Sequence, residues 1–155
     1  MRSRTRRPRR ITLHNLMAAA FVLCAWTSVS SGAEEPSASG AALRVELNKL
    51  ESIDSACRAY LLFENRTAGD FASLKLDLVM FNAEGIISRR LAVEGGPLPA
   101  GKTSVKLFDI QDVACGSVSR VLLNGVLACS DASGERTDCL ALIETASRSS
   151  ADFFK

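Results

Sequence analysis

The sequence predicts an all-β fold: an Ig-like antiparallel β-sandwich of about seven strands, preceded by a signal-peptide helix. Three observations predict it. Beyond residue 42, apolar residues recur with period two in short runs. Clusters of Gly, Asn, Asp and Pro separate those runs at intervals of roughly 10–15 residues. No long stretch of the same region favours a helix.

The elements follow in order. Leu43, Val45 and Leu47 alternate with Arg44, Glu46 and Asn48, the first strand. Cys57, Ala59, Leu61 and Phe63 alternate with Arg58, Tyr60, Leu62 and Glu64, the second. "ENRTAGD" (64–70) turns the chain; its Asn65-Arg66-Thr67 has the form of a glycosylation sequon and reads as a polar hairpin turn. Leu74, Leu76, Leu78 and Met80 form one face of the third strand. "NAEG" (82–85) is a tight turn with glycine at its end. A fourth strand covers 86–93, where Arg89-Arg90 reads as a solvated edge. "GGPLPAGK" (95–102) breaks the chain before a fifth strand at 103–110. Residues 119–129 are apolar on both faces, as a central strand should be. "SDASGERTD" (130–138) turns, and 139–146 completes the seventh strand.

The amino terminus reads as an address. Six arginines at positions 2–10 precede the uncharged run Leu16–Val29, and Ser31 and Ala33 then stand two apart as a cleavage site would need. The apolar run is shorter than the roughly 18 residues a membrane-spanning helix requires. Arg9-Arg10 with Ile11 and Leu13 loosely matches a twin-arginine export signal. Cys24 follows Leu23 rather than a small residue, so it is an ordinary residue of the apolar run. The expected organisation is a signal peptide at 1–33, a Pro/Ser/Gly/Ala linker at 34–42, the sandwich at 43–147 and a C-terminal tail at 148–155. A periplasmic or secreted location follows, with no stable membrane span after cleavage.

Charge and composition then exclude several functions. Six of the nineteen basic residues leave with 1–33, so thirteen face seventeen acids and the mature chain is mildly acidic. That balance gives no footprint for nucleic acid. His14 and Trp26, the sole histidine and tryptophan, also lie in the leader. Without histidine there is no Ser-His-Asp triad, no Cys-His pair and no histidine metal site. "EGGPLPAGK" lacks the spacing of a phosphate-binding loop. No catalytic residue, metal or cofactor is expected. The competing class is an enzyme drawing on loop carboxylates such as Asp70, Asp109 and Asp112; a third is a purely structural envelope component.

Four cysteines remain: Cys57, Cys115, Cys129 and Cys139. An even count in an exported domain predicts two disulfides. Paired C-x-x-C knuckles, the usual mark of a thiolate metal site, are missing. In an Ig-like order, Cys57 and Cys115 fall at one end of the sandwich. Cys129 and Cys139 flank a hairpin at the other. The expected bridges are therefore Cys57–Cys115 and Cys129–Cys139.

The third, sixth and seventh strands lie side by side in that order. If Leu76, Leu123 and Ile143 point into the core, alternation sends Val79, Phe81, Leu122, Val126, Leu140 and Leu142 outward. Six apolar side chains on one outer face make a candidate interface for an envelope protein or a second copy.

"CRAYLLFENRTAGDFASLKLDLVMFNAEG" (57–85), "PLPAGKTSVKLFDI" (97–110) and "CSDASGERTDC" (129–139) resemble a group of uncharacterised exported proteins of alphaproteobacteria with twin-arginine-type signals. The first two segments are also similar to secreted Ig-like modules, though "PAGK" departs from their Pro-Gly-type turn by one residue. The resemblance spans about 43–146 and implies export and an Ig-like sandwich. It implies no activity and assigns no functional residue. The expected function is a non-catalytic binding module of unknown partner, acting through a sheet face or loops.

Overall fold

A computed structural model describes residues 41–155; the leader and most of the linker lie outside the described residues. The chain forms an all-β sandwich of two sheets. The first has the order β5 (Thr103–Gln111), β2 (Ala56–Asn65), β1 (Leu43–Ile53), β8 (Ile143–Ser147). The second runs β4 (Ile87–Glu94), β3 (Phe71–Phe81), β6 (Arg120–Asp131), β7 (Gly134–Glu135), with β9 (Asp152–Phe154) also against β6. A short helix, α1 (Cys139–Leu142), and a 3₁₀ turn at Cys115–Ser117 complete it.

The core is the period-two pattern made physical. Leu43, Val45 and Leu47 meet Ala59, Leu61 and Phe63 on the inner face of the first sheet, all buried. Leu74, Leu76, Leu78 and Met80 face them from β3, with Val121 and Leu123 from β6. Burying each such side chain contributes about 1.5–3 kcal/mol, before its entropy cost.

Three features set the order of the sheets. First, β4 pairs antiparallel with β3 in the second sheet, because a short turn joins them and neighbours in a tight hairpin must pair. In that turn Gly85 sits at φ 77° and donates to the Asn82 carbonyl at 3.0 Å. Second, 139–146 is not a strand beside β6. Cys139–Leu142 is helical, and the chain then crosses to the first sheet, where β8 runs parallel to β1 with Leu43 opposite Ile143. Ile143 is wholly buried there, which rewards the crossing. Third, 148–155 is no loose tail. Ser147 Oγ donates to the Ala151 carbonyl at 2.6 Å, and β9 returns to lie parallel to the start of β6. The sheets are therefore mixed.

The connections at the β2–β3 and β4–β5 passages between the sheets are tightly packed. Between β4 and β5, a Cβ on Gly96 would stand 2.7 Å from the Leu74 amide nitrogen and one on Gly95 2.4 Å from the Phe63 ring. Glycine is required at both by close approach. Asn65 closes the neighbouring turn. Its side chain is buried; Nδ2 donates to the carbonyls of Gly69 (2.8 Å) and Leu98 (3.0 Å), and Oδ1 accepts from Thr67. The sequon-like Asn65 is a structural clasp.

Candidate functional site

The two bridges are Cys57–Cys115 and Cys129–Cys139, the connectivity expected from the strand order. The first ties the start of β2 to the connection between β5 and β6. The second closes the loop that holds β7 and α1.

The six apolar residues of the expected interface do not share one face. Val79, Phe81 and Leu122 do lie together on the outside of the second sheet, with Val79 opposite Leu122. Phe154 of β9 joins them, its ring 6.4 Å from that of Phe81. The Arg120 guanidinium lies 5.4 Å from the Phe81 ring and 5.6 Å from the Phe154 ring, and so caps the cluster by cation–π attraction. Val79 is buried beneath its neighbours.

The other three fall elsewhere. β6 carries two bulges against β3, at Asn124 and Leu127. Each extra residue moves the alternation by one. Val126 therefore pairs with core-facing Leu76 and packs inward. Leu142 packs against the core at the end of α1. Leu140 is exposed, on α1 rather than on a sheet face.

The bulged Asn124 also builds a polar cluster that sequence reading missed. Its Nδ2 donates to Asp77 Oδ2 at 2.6 Å, while Arg90 donates to both Asp77 oxygens at 2.8 Å. The Arg90 and Asn124 hydrogen bonds lower the Asp77 pKa to about 2. The period-two position of Asp77 and the arginine pair at 89–90 were the visible signals; only the pairing register brings them together. Asp77 in an unfolded chain titrates near 3.9. Its depressed folded pKa contributes stability that is present above about pH 4 and is lost as pH falls toward 2. The melting temperature of Asp77→Asn should therefore lie below that of the native protein from pH 5 to 8, with the gap closing toward pH 2. A gap independent of pH would show that packing, not charge, is what Asp77 supplies.

The expected loop carboxylates are not brought together. Asp70 Oδ1 accepts from the Ala100 amide at 2.7 Å, at one end of the sandwich. Asp109 is paired with Arg58 at 2.6 Å near the far end of β5, and Asp112 follows in a turn at φ 58°. The span from Thr103 to Asp109 alone is about 20 Å of strand.

The second sheet has an incomplete edge. β9 pairs with Arg120–Leu122 and β7 with Ser130 and Asp131, while Arg136 N–H donates to the Cys129 carbonyl at 2.9 Å. Residues 123–128 have no backbone partner on that side among the described residues. The flanking strands stop where the bulges bend β6. Two grooves border this gap. One of about 600 Å³ is lined by Gly125, Val126, Leu127 and Arg136 among others. The other, about 570 Å³, is lined by Leu122, Leu123, Leu140 and Ala141 together with Asn124, Thr137, Asp138 and Lys155. Lys155 Nζ donates to the carbonyls of Leu140 and Ile143, holding the terminus over α1.

No protein-family model matches the sequence, and no curated protein matches it. Among solved structures the chain is similar to IrmA from Escherichia coli, with a TM-score of 0.51 and 10% identity over 66% of this chain and 89% of that one. At that identity the likeness concerns the two-sheet fold alone.

Proposed function

We propose that this domain is an extracytoplasmic binding module, periplasmic or secreted, that engages a partner through the β6 side of its second sheet. The observation that carries the reading is the gap at residues 123–128, bordered by one groove of mixed polar and apolar lining and one mainly apolar groove, and adjoining the Phe81–Phe154 cluster. Two disulfides fit an oxidising compartment outside the cytoplasm. No helix among the described residues is long and apolar enough to cross a membrane. The carboxylates favour binding over catalysis. A general acid at neutral pH needs a raised pKa. Asp109 is instead held low by Arg58. At Glu46 burial pushes the pKa up, but hydrogen bonds from Asn48 and Arg44 and the nearby Arg148 outweigh it, so the net shift is downward.

The test uses protein recovered from the envelope fraction, whose amino terminus should begin near Glu34. Phe81→Glu and Leu140→Lys change partly or largely exposed side chains, so each should leave the melting temperature within a few degrees. Each should reduce recovery of the partner, or self-association by light scattering, at least tenfold. Leu76→Glu, by contrast, should prevent folding, since it buries an unpaired charge. Unchanged association in both folded variants would move the site to another surface.

A further inference from the structure

We infer that the gap in β6 is a strand-acceptor slot: it takes one extended, uncharged, apolar-alternating segment of a partner chain, which adds about six residues of backbone to the second sheet between β7 and β9. The inference rests on the binding reading above and names the chemistry of its ligand.

Four observations select that occupant. The backbone of residues 123–128 offers unpaired N–H and C=O groups along one side, among the described residues, and an extended backbone is what satisfies such a row. The slot is about 20 Å long at strand rise, hence about six residues. The β6 segment itself is uncharged, since Val121–Ser130 contains no charged residue, and the bordering grooves carry one charge of each sign apiece, Glu135 with Arg136 and Asp138 with Lys155. The other edges are guarded, with Arg89, Arg90 and Glu94 on β4, Lys106 and Asp109 on β5 and Glu144 on β8. Gly125 lies at the middle of the slot, where a Cβ would meet nothing within 4 Å. Neither a positive φ nor a clash inside the described chain requires glycine there; it stands beside the Asn124 bulge and leaves the outer face of the slot bare for an added strand.

Geometry excludes a second folded copy as the occupant. An added strand sits 4.7–4.9 Å from β6, and at both ends β7 and β9 already fill that lane. In a two-fold antiparallel approach Arg120–Leu122 of one copy would face Ser130 and Asp131 of the other. β9 and β7 would then compete for one space. A free segment can enter between them and follow the bend that the bulges impose. Its inward side chains would meet Leu123, Leu140 and Ala141; its outward side chains would pass bare Gly125.

The probe is a capped eight-residue peptide of alternating valine and threonine, added to the full protein as isolated, with a copy carrying central prolines as control. Amide hydrogen exchange is read across β6. Those amides of 123–128 that point away from β3 should exchange rapidly in the free protein and at least tenfold more slowly with saturating peptide, while the amides bonded to β3 change little and the proline copy does nothing. Leu127→Lys should weaken the protection at least tenfold, whereas Leu107→Lys, on the exposed face of β5, should not. Gly125→Ala should raise the melting temperature by a few degrees, since it removes freedom from the unfolded chain, and weaken peptide binding. No peptide-dependent protection up to about 1 mM would overturn the proposal. So would open-side amides already protected in the free monomer, which would place a segment of the chain itself in the slot, or protection that appears only as the protein dimerises. If partner recovery still depends on Phe81 while the slot amides stay unprotected, strand addition fails and the binding reading stands.

Discussion

Replacing Cys57 and Cys115 by alanine is expected to lower stability by about 4 kcal/mol, and replacing Cys129 and Cys139 by about 3 kcal/mol. The difference comes from loop length. The first bridge joins residues 58 apart in sequence and the second residues 10 apart, so the first removes more freedom from the unfolded chain. Both figures follow the chain-entropy account, which competing solvation accounts dispute. Urea unfolding of the two double variants beside the native protein checks the order. A larger loss from the shorter loop would mean that the native contacts held by Cys129–Cys139, namely β7 and α1, outweigh chain entropy. Cys57 is fully buried, so alanine there also leaves a small void and the measured loss should not fall below the entropic figure.

Asn65→Asp should cost about 4 kcal/mol at pH 7, the scale of an uncompensated buried charge. The native amide donates twice, to the carbonyls of Gly69 and Leu98. A carboxylate has no proton to donate, and it would face those two oxygens from a site 1% exposed. The sign of the pH dependence follows. The folded pKa of the new carboxyl would be raised, so the penalty is full above that pKa and diminishes as pH falls through it, when the protonated form donates again. Thermal unfolding of the variant should therefore improve, relative to the native protein, between pH 7 and pH 4. Asn65→Ala should cost less, about 2 kcal/mol, because both carbonyls keep another donor and chiefly the Thr67 amide is orphaned. A variant equally destabilised at both pH values would assign the cost to packing alone.

These residues show how far local pattern reaches. Leu43, Val45 and Leu47, Cys57 to Phe63 and Leu74 to Met80 are legible because alternation along one regular strand determines which side faces inward. The bridges were legible for a related reason: Cys57 begins β2 and Cys115 just precedes β6, while Cys129 and Cys139 bound one short loop, and neither placement depends on where the seventh strand goes. Phe81 stays on the outer face because β3 keeps its alternation from Leu74 onward, and Leu122 because it precedes the first bulge of β6. Val126 lies beyond it and does not. A bulge at Asn124 leaves no mark in hydropathy; it shows only in the pairing, where Leu123 stands opposite Leu78 and Gly125 opposite Asp77.

The sequence by itself determined an all-β chain, the two disulfides and the inner faces of β1, β2 and β3; the expected signal peptide lies outside the described residues. Each is a local property, written in alternation, cysteine placement or composition. The tertiary structure alone decided that Cys139–Leu142 turns as a helix, that β8 joins β1 in the opposite sheet, and that the last residues return as β9. It also decided the gap in β6. These outcomes depend on which edge a strand finds free, and that choice is made by residues a hundred positions away: Leu43 receives Ile143, and Arg148 N–H donates to the Leu47 carbonyl at 2.9 Å. Period-two patterning says which face of a strand is apolar; it carries no information about the neighbour that will cover its edge.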